Sequence, residues 1–294
     1  MLALSFWAVW AVEGGNADPF GMRFTTGKKS ALIVGNSRAA QGLIPEFVEE
    51  GIDTPLSSGL YNYSFGIGYS AYGPIYLESI MDKLDQKTID GLFIVTVDPW
   101  ALVEGGNHPN DPVFFPERDS PLAELQNQNF KPHLVYMMNW FGPSYYEIIH
   151  RYFRPANERL HRNNGWLELV LPMDTATVNY RIQQKVRQFE SGYKSLQLSE
   201  TRLKYLEKTI IELKNHGKVV LVYMPAHPKI LKYDQLVLPD FQKMMDKISD
   251  KYKVAYKDYS SQAGKFIYTD GIHLYQESGR TISKDLGRWI KSQL

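Results

Sequence analysis

Five short apolar runs, each followed by a stretch of helical composition, set the rhythm of the chain. Ala31-Leu32-Ile33-Val34 is the first, a run of the kind carried by strands buried on both faces. Leu60 to Tyr63, Gly91 to Val97, Lys218 to Met224 and Val254 to Lys257 read as the second to fifth strands. Between and after them the sequence predicts helices. One covers Ala39 to Glu50, interrupted near Pro45, and another Tyr72 to Leu84. A third runs from a Ser199 cap to His216 and stops at Gly217, a fourth covers Leu236 to Lys251, and the last Gln276 to Ile290. Strand and helix repeated five times mean an α/β fold with about five parallel strands and helices on both faces. Residues 103–197 break the rhythm. This stretch is dense in Pro, Asn, Trp and Tyr, with helical pieces such as Val178 to Phe189. It is expected to be a large insertion capping the strand ends, where long insertions set substrate choice.

Candidate chemistry gathers at three strand ends. After the first strand come Gly35, Asn36 and Ser37, and then a helix. A serine there sits where α/β proteins place ligands, with free helix N–H groups beside it to stabilise a developing oxyanion. The plain alternative is that Ser37 only caps the helix. Near the C-terminus, Asp270-Gly271-Ile272-His273 puts a carboxylate and an imidazole three positions apart on a loop entering a helix. The aspartate can hold one ring nitrogen and leave the other to take a proton from a serine. Asp270-Gly271 is also an ordinary turn signal. His227, between two prolines at the end of the fourth strand, is a second candidate for the cleft, or a structural loop residue.

The blocks Gly35-Asn36-Ser37 and Asp270-Gly271-Ile272-His273 together resemble the SGNH/GDSL hydrolase family. Its first block is a strand followed by Gly-Asp/Asn-Ser, and its last is Asp-x-x-His before a C-terminal helix. The resemblance spans the chain from about Lys29 onward, with a divergent middle. It implies a flavodoxin-like three-layer sandwich with Ser37 as nucleophile, His273 as general base and Asp270 orienting it. It also implies an oxyanion hole built from the N–H groups of Ser37 and a glycine, for which Gly66 is preferred over Gly68. One departure stands out. Where the family places an asparagine donor, the third strand ends in Asp98, and an ionised aspartate has no proton to give. Asn107 or another donor substitutes, or the chemistry has changed, or Asp98 binds a sugar hydroxyl or pairs with Arg38. Asn36, Arg38, Gly68, Asp98, Asn107 and His227 therefore form the expected substrate-binding set. The Gly-x-Ser-Arg variant and the apolar N-terminus are similar to a membrane-anchored branch acting with membrane-bound O-acyltransferases on surface polysaccharides or teichoic acids.

Composition narrows the classes further. With 33 basic and 32 acidic residues, the chain of 294 gives no electrostatic case for nucleic acid. It has no cysteine, hence no disulfide or thiolate chemistry. His108, His133, His150 and His161 lack metal-ligand spacing, and neither metal nor cofactor is expected. GNSRAAQG lacks the glycines of a dinucleotide-binding loop. An α/β-hydrolase would carry its nucleophile after several strands, whereas Ser37 follows the first. Met1 to Val12 is apolar and uncharged but shorter than a membrane span, with no basic start or cleavage signal. Residues 1–28 are read as the stub of a membrane anchor with its linker, or else an apolar arm, ahead of a hydrolase-like domain over 29–294. The expected setting is the extracytoplasmic face of a membrane, with the cytoplasm as the alternative. The expected activity is serine-dependent ester hydrolysis or acyl transfer on O-acyl groups of a cell-surface glycan. The alternative is a non-catalytic carbohydrate-binding or assembly protein that kept the fold.

Overall fold

Alternate residues of the buried strands feed two separate cores. The computed structural model describes residues 4–5, 20–56, 58–142, 144–154 and 157–293. Of the apolar opening, Met1 to Val12, only Leu4 and Ser5 fall among them. Strand β1 (Ala31–Val34) leads into α1 (Ser37–Gly42), and Pro45 restarts the helix as α2 (Pro45–Ile52). Then come β2 (Tyr61–Asn62), α3 (Ile67–Ser70), α4 (Pro74–Lys83) and β3 (Gly91–Thr96). The mid-chain stretch holds β4 (Val103–Gly105), α5 (Leu134–Asn139), α6 (Tyr145–Phe153), β5 (Glu158–Leu160), β6 (Leu167–Leu169), α7 (Thr175–Gly192) and β7 (Leu196–Leu198). The alternation resumes with α8 (Glu200–Lys214), β8 (Gly217–Tyr223), α9 (Pro228–Val237), α10 (Phe241–Tyr252), β9 (Ala255–Asp258) and α11 (Gln276–Gln293).

The sheet runs β2-β1-β3-β8-β9 with every pairing parallel. Leu32, Val34, Phe93, Val95 and Leu221 face one core, filled by Ile80 of α4, Ile210 of α8 and Met245 of α10. Ile33, Ile94, Val220 and Val222 face the other, filled by Val48 of α2 and by Ile282, Leu286 and Ile290 of α11. Side chains alternate across a strand, so covering both faces demands unbroken apolar runs. The three-layer α/β sandwich follows. Much of the tyrosine enters the first core: Tyr61, Tyr63, Tyr72 and Tyr76 are each no more than 1% exposed.

Two features position the site. β4 pairs antiparallel with β7, Val103 opposite Leu198, so the mid-chain stretch leaves and returns through adjoining strands just beyond β3. The single helix expected over Leu236 to Lys251 is instead two, α9 and α10, separated around Pro239. Pro228 opens α9 at its first turn, where a missing N–H costs nothing. The Pro-flanked turn was thus a helix start. Among the described residues, no helix is long and apolar enough to cross a membrane.

Candidate active site

The turn after β1 depends on Gly35. Its φ is +148°, and a Cβ there would lie 1.8 Å from the Thr96 hydroxyl oxygen of β3, so any side chain would collide with the neighbouring strand. The Gly35 N–H donates to the buried Tyr76 hydroxyl at 2.8 Å. Asn36 then caps α1, its Oδ1 accepting from the Arg38 N–H at 3.0 Å. The capping role open to Ser37 falls to Asn36, and the Ser37 hydroxyl is left for other partners.

That hydroxyl meets His273. Ser37 Oγ lies 2.8 Å from His273 Nε2, across 236 positions of sequence. His273 Nδ1 lies 3.0 Å from Asp270 Oδ2, while Asp270 Oδ1 accepts from the backbone N–H groups of Ile272 and His273, each at 3.0 Å. The aspartate thus holds both its own loop and the ring. Burial pushes its pKa up, but His273 and these hydrogen bonds outweigh burial and hold it well below the usual carboxylate range. Gly271, at φ +95°, turns the loop, and its carbonyl accepts from the His227 N–H at 2.8 Å. His227 itself caps α9 and does not line the cavity, so its link to the site is through the backbone.

Behind Ser37 sits a buried charge cluster. Arg38 makes a two-pronged salt bridge to Asp234, at 2.7 and 2.9 Å, and its Nε lies 3.5 Å from Asp98 Oδ2. Asp234 also accepts from the Trp100 indole at 2.7 Å and the Tyr223 hydroxyl at 2.6 Å. Asp98 takes the Asn36 amide at 2.5 Å and the backbone N–H groups of Trp100 and Ala101 at 3.0 and 3.3 Å. Burial works against the Arg38 charge, yet Asp234 and Asp98 carry its pKa well above the ordinary value. Burial and the neighbouring Asp234 push the Asp98 carboxyl up, with Arg38 and Asn36 opposing. The expected pairing of Asp98 with Arg38 is present. Asp234, Trp100 and Tyr223 were not anticipated; they come from distant elements, and no local spacing marks them.

In front of Ser37 and His273 opens a cavity of about 440 Å³. Asn36, Arg38 and Asp98 line its base, and Ile67, Trp100, Phe189 and Leu196 give it apolar walls. Trp100 and Phe189 meet edge to face at 4.3 Å. Across the cavity stands a second buried cluster, in which Arg202 holds Glu104 at 2.5 Å and Glu117 at 2.8 Å. Helix α7, from the mid-chain stretch, adds Lys185, whose Nζ lies 4.0 Å from Asp270 Oδ2. Gly68 lines the cavity, whereas Gly66 caps α3 outside the lining. Asn107 lies on an exposed turn and is not brought to the cavity. Among the described residues, no group of three His, Cys, Asp or Glu side chains is placed to hold a metal ion.

The sequence matches no protein-family model and no curated protein. Two solved structures are similar in outline. A lipase/acylhydrolase from Enterococcus faecalis is 12% identical with a TM-score of 0.40, covering 90% of this chain and 97% of that one. The inhibitor-bound aryl esterase of M. Smegmatis is 9% identical, also at 0.40, covering 90% of this chain and 100% of that one.

Proposed function

We propose that this chain is a serine-dependent ester hydrolase or acyl transferase. The observation that carries the reading is the unbroken line from Ser37 Oγ through His273 to Asp270, at 2.8 and 3.0 Å, facing an open cavity. Ser37 Oγ attacks the ester carbonyl as its proton passes to His273 Nε2. Asp270 keeps the other ring proton on Nδ1 and offsets the charge that the ring gains. The tetrahedral oxyanion is held by the Ser37 N–H, which as the first residue of α1 has no acceptor within the helix, and by the N–H of Gly68, which lines the cavity where the preferred Gly66 does not. Collapse expels the alkoxide, protonated by His273, and leaves an acyl-serine. Water or a sugar hydroxyl then attacks it, with His273 taking the incoming proton. Asp98 has no donor role in this scheme; it holds Asn36 and Arg38 in place.

The substrate is an O-acylated carbohydrate or other ester, on this reading an O-acyl group of a cell-surface glycan, with a membrane-bound O-acyltransferase as partner. A cavity of about 440 Å³ falls in the size range of small-molecule sites. The alternative of a non-catalytic binding protein drew its support from Asp98, and the four donors on that carboxylate account for the residue without it. A fluorophosphonate is expected to label the wild type, and Ser37→Ala and His273→Ala are expected to abolish labelling. p-Nitrophenyl acetate turnover is expected to fall by about 10³–10⁴-fold in Asp270→Asn. Equal turnover by wild type and Ser37→Ala would overturn the reading.

A further inference from the structure

A second cavity, of about 580 Å³ against about 440 Å³ for the one before Ser37, opens at the β8–β9 edge of the sheet. Tyr223 and Asp258, opposite one another as the last pair of the β8–β9 ladder, both line it. It therefore lies beyond the carboxyl ends of two parallel strands, the side on which open α/β sheets receive ligands. The ester chemistry does not use it, for neither Ser37 nor His273 reaches its walls. Asp234 stands between the two spaces, lining this one while its carboxylate holds Arg38 at the base of the other. The geometry points to a second binding site here, one that takes a neutral sugar.

The lining first sets the charge of the ligand. Arg38, Lys185, Arg202 and His273 face the first cavity, whereas among the described residues no lysine, arginine or histidine lines the second. A phosphate or carboxylate would enter it with no counter-charge. A metal cation is no better served. Asp234 already accepts from Arg38 twice, from Trp100 and from Tyr223. Asp258 Oδ1 accepts the Ser260 N–H at 2.7 Å. One carboxylate oxygen is left over, where a hard cation gathers six or more oxygen ligands.

What remains is a mixed set of donors and acceptors. Among the described residues, Asp258 Oδ2, the Ser260 and Ser261 hydroxyls and the Gln235 amide have no hydrogen-bond partner. Sugar hydroxyls donate and accept at once, so they can meet all four groups. Leu231, Leu238 and Phe241 supply an apolar wall for the C–H face of a sugar ring. Phe241 is held edge to face against Tyr223, ring centres 5.0 Å apart. The site does not depend on Ser37 being the nucleophile, and its test reads binding rather than turnover.

The test is saturation-transfer NMR on the full chain with glucose, galactose and N-acetylglucosamine, each at about 10 mM, where single sugars held by a few hydrogen bonds bind. Glucuronate and ethanolamine serve as the charged comparators. Wild type is expected to bind at least one neutral sugar, and S261W, whose indole fills the second cavity, to lose it. Asp258→Ala is expected to weaken binding at least about tenfold. G68W places an indole in the first cavity instead, at a position where a Cβ meets nothing within 4 Å, and is expected to bind as wild type does. Circular dichroism and thermal midpoints certify the fold of each variant. The proposal is overturned if no neutral sugar binds, if S261W and Asp258→Ala both bind like wild type, or if G68W alone abolishes binding. It is equally overturned if glucuronate or ethanolamine binds more tightly than every neutral sugar and S261W removes that binding.

Discussion

Strand β1 has a buried cation beyond each of its ends, and the two are handled in opposite ways. Beyond its C-terminal end, Arg38 is enclosed with two carboxylates and keeps its charge, its pKa raised. Beyond its N-terminal end, Lys83 is fully buried, its ammonium donating to the Arg23 carbonyl at 2.8 Å and the Thr26 hydroxyl at 2.7 Å over the rings of Tyr61 and Tyr63. Among the described residues no carboxylate lies within salt-bridge distance of it. Burial, with Lys29 next and then Arg162 and Arg23, brings its pKa down to about 6, against the pull of Asp82. Burying an ion requires a partner or neutralisation. The end that holds Ser37 has the partner, and with it a fixed floor; the other end has a lysine that folding drives towards the neutral amine.

The strongest way to break this contrast is to remove the partner. Asp234→Ala would leave Arg38, the Trp100 indole and the Tyr223 hydroxyl without their shared acceptor. The expected loss is about 3–5 kcal/mol, the cost of stranding a buried charge, read as a lower urea midpoint. Turnover should fall as well, because Arg38 directly follows Ser37 on α1. A shift below about 1 kcal/mol would mean that water reaches Arg38 and the cluster is not sealed.

Asp98→Asn is a finer cut. It restores the amide that the resemblance leads one to expect at this strand end. Asp98 Oδ2 now receives both the Asn36 amide and the Arg38 Nε, and Oδ1 receives two backbone N–H groups. An amide would set its NH₂ against donors on either side. The expected outcome is a loss of about 1–3 kcal/mol in stability and lower esterase turnover. Higher turnover would instead return an oxyanion-donor role to this position.

What was legible in the sequence follows the same division between local and long-range causes. The sheet was legible because both its faces are covered, which forces continuous runs such as GLFIVT in β3. The Ser37, Asp270 and His273 constellation was legible because each block is short and sits at a strand end or helix entry. Asp234 was not, being 196 positions from Arg38 and joined to it only by the packing of α9 over the sheet. Lys185 was hidden for a similar reason, since its helix was readable but not the side it turns to Asp270. Asn107 was drawn in by residue type alone, and an asparagine on an exposed turn has no packing to carry it inward.

The mildest test sharpens the other half of the comparison. Lys83 titrates near 10.4 in the unfolded chain and at about 6 when folded. Between those values the unfolded state binds more protons, so this group makes stability rise with pH. The slope is at most about 1.4 kcal/mol per pH unit, one proton's worth. Below pH 6 the lysine is charged in both states and the slope vanishes. Lys83→Met removes the titration while keeping most of the apolar stem. Urea melts of both proteins between pH 6 and pH 9 should show the stability difference, wild type minus variant, climbing with pH. Titrating groups remote from Lys83 are common to the two proteins and cancel in that difference; Lys29, which couples to Lys83, titrates only towards the upper end of the range. Parallel profiles would mean that Lys83 stays an ammonium, its two neutral oxygens and two rings sufficing where Arg38 has two carboxylates.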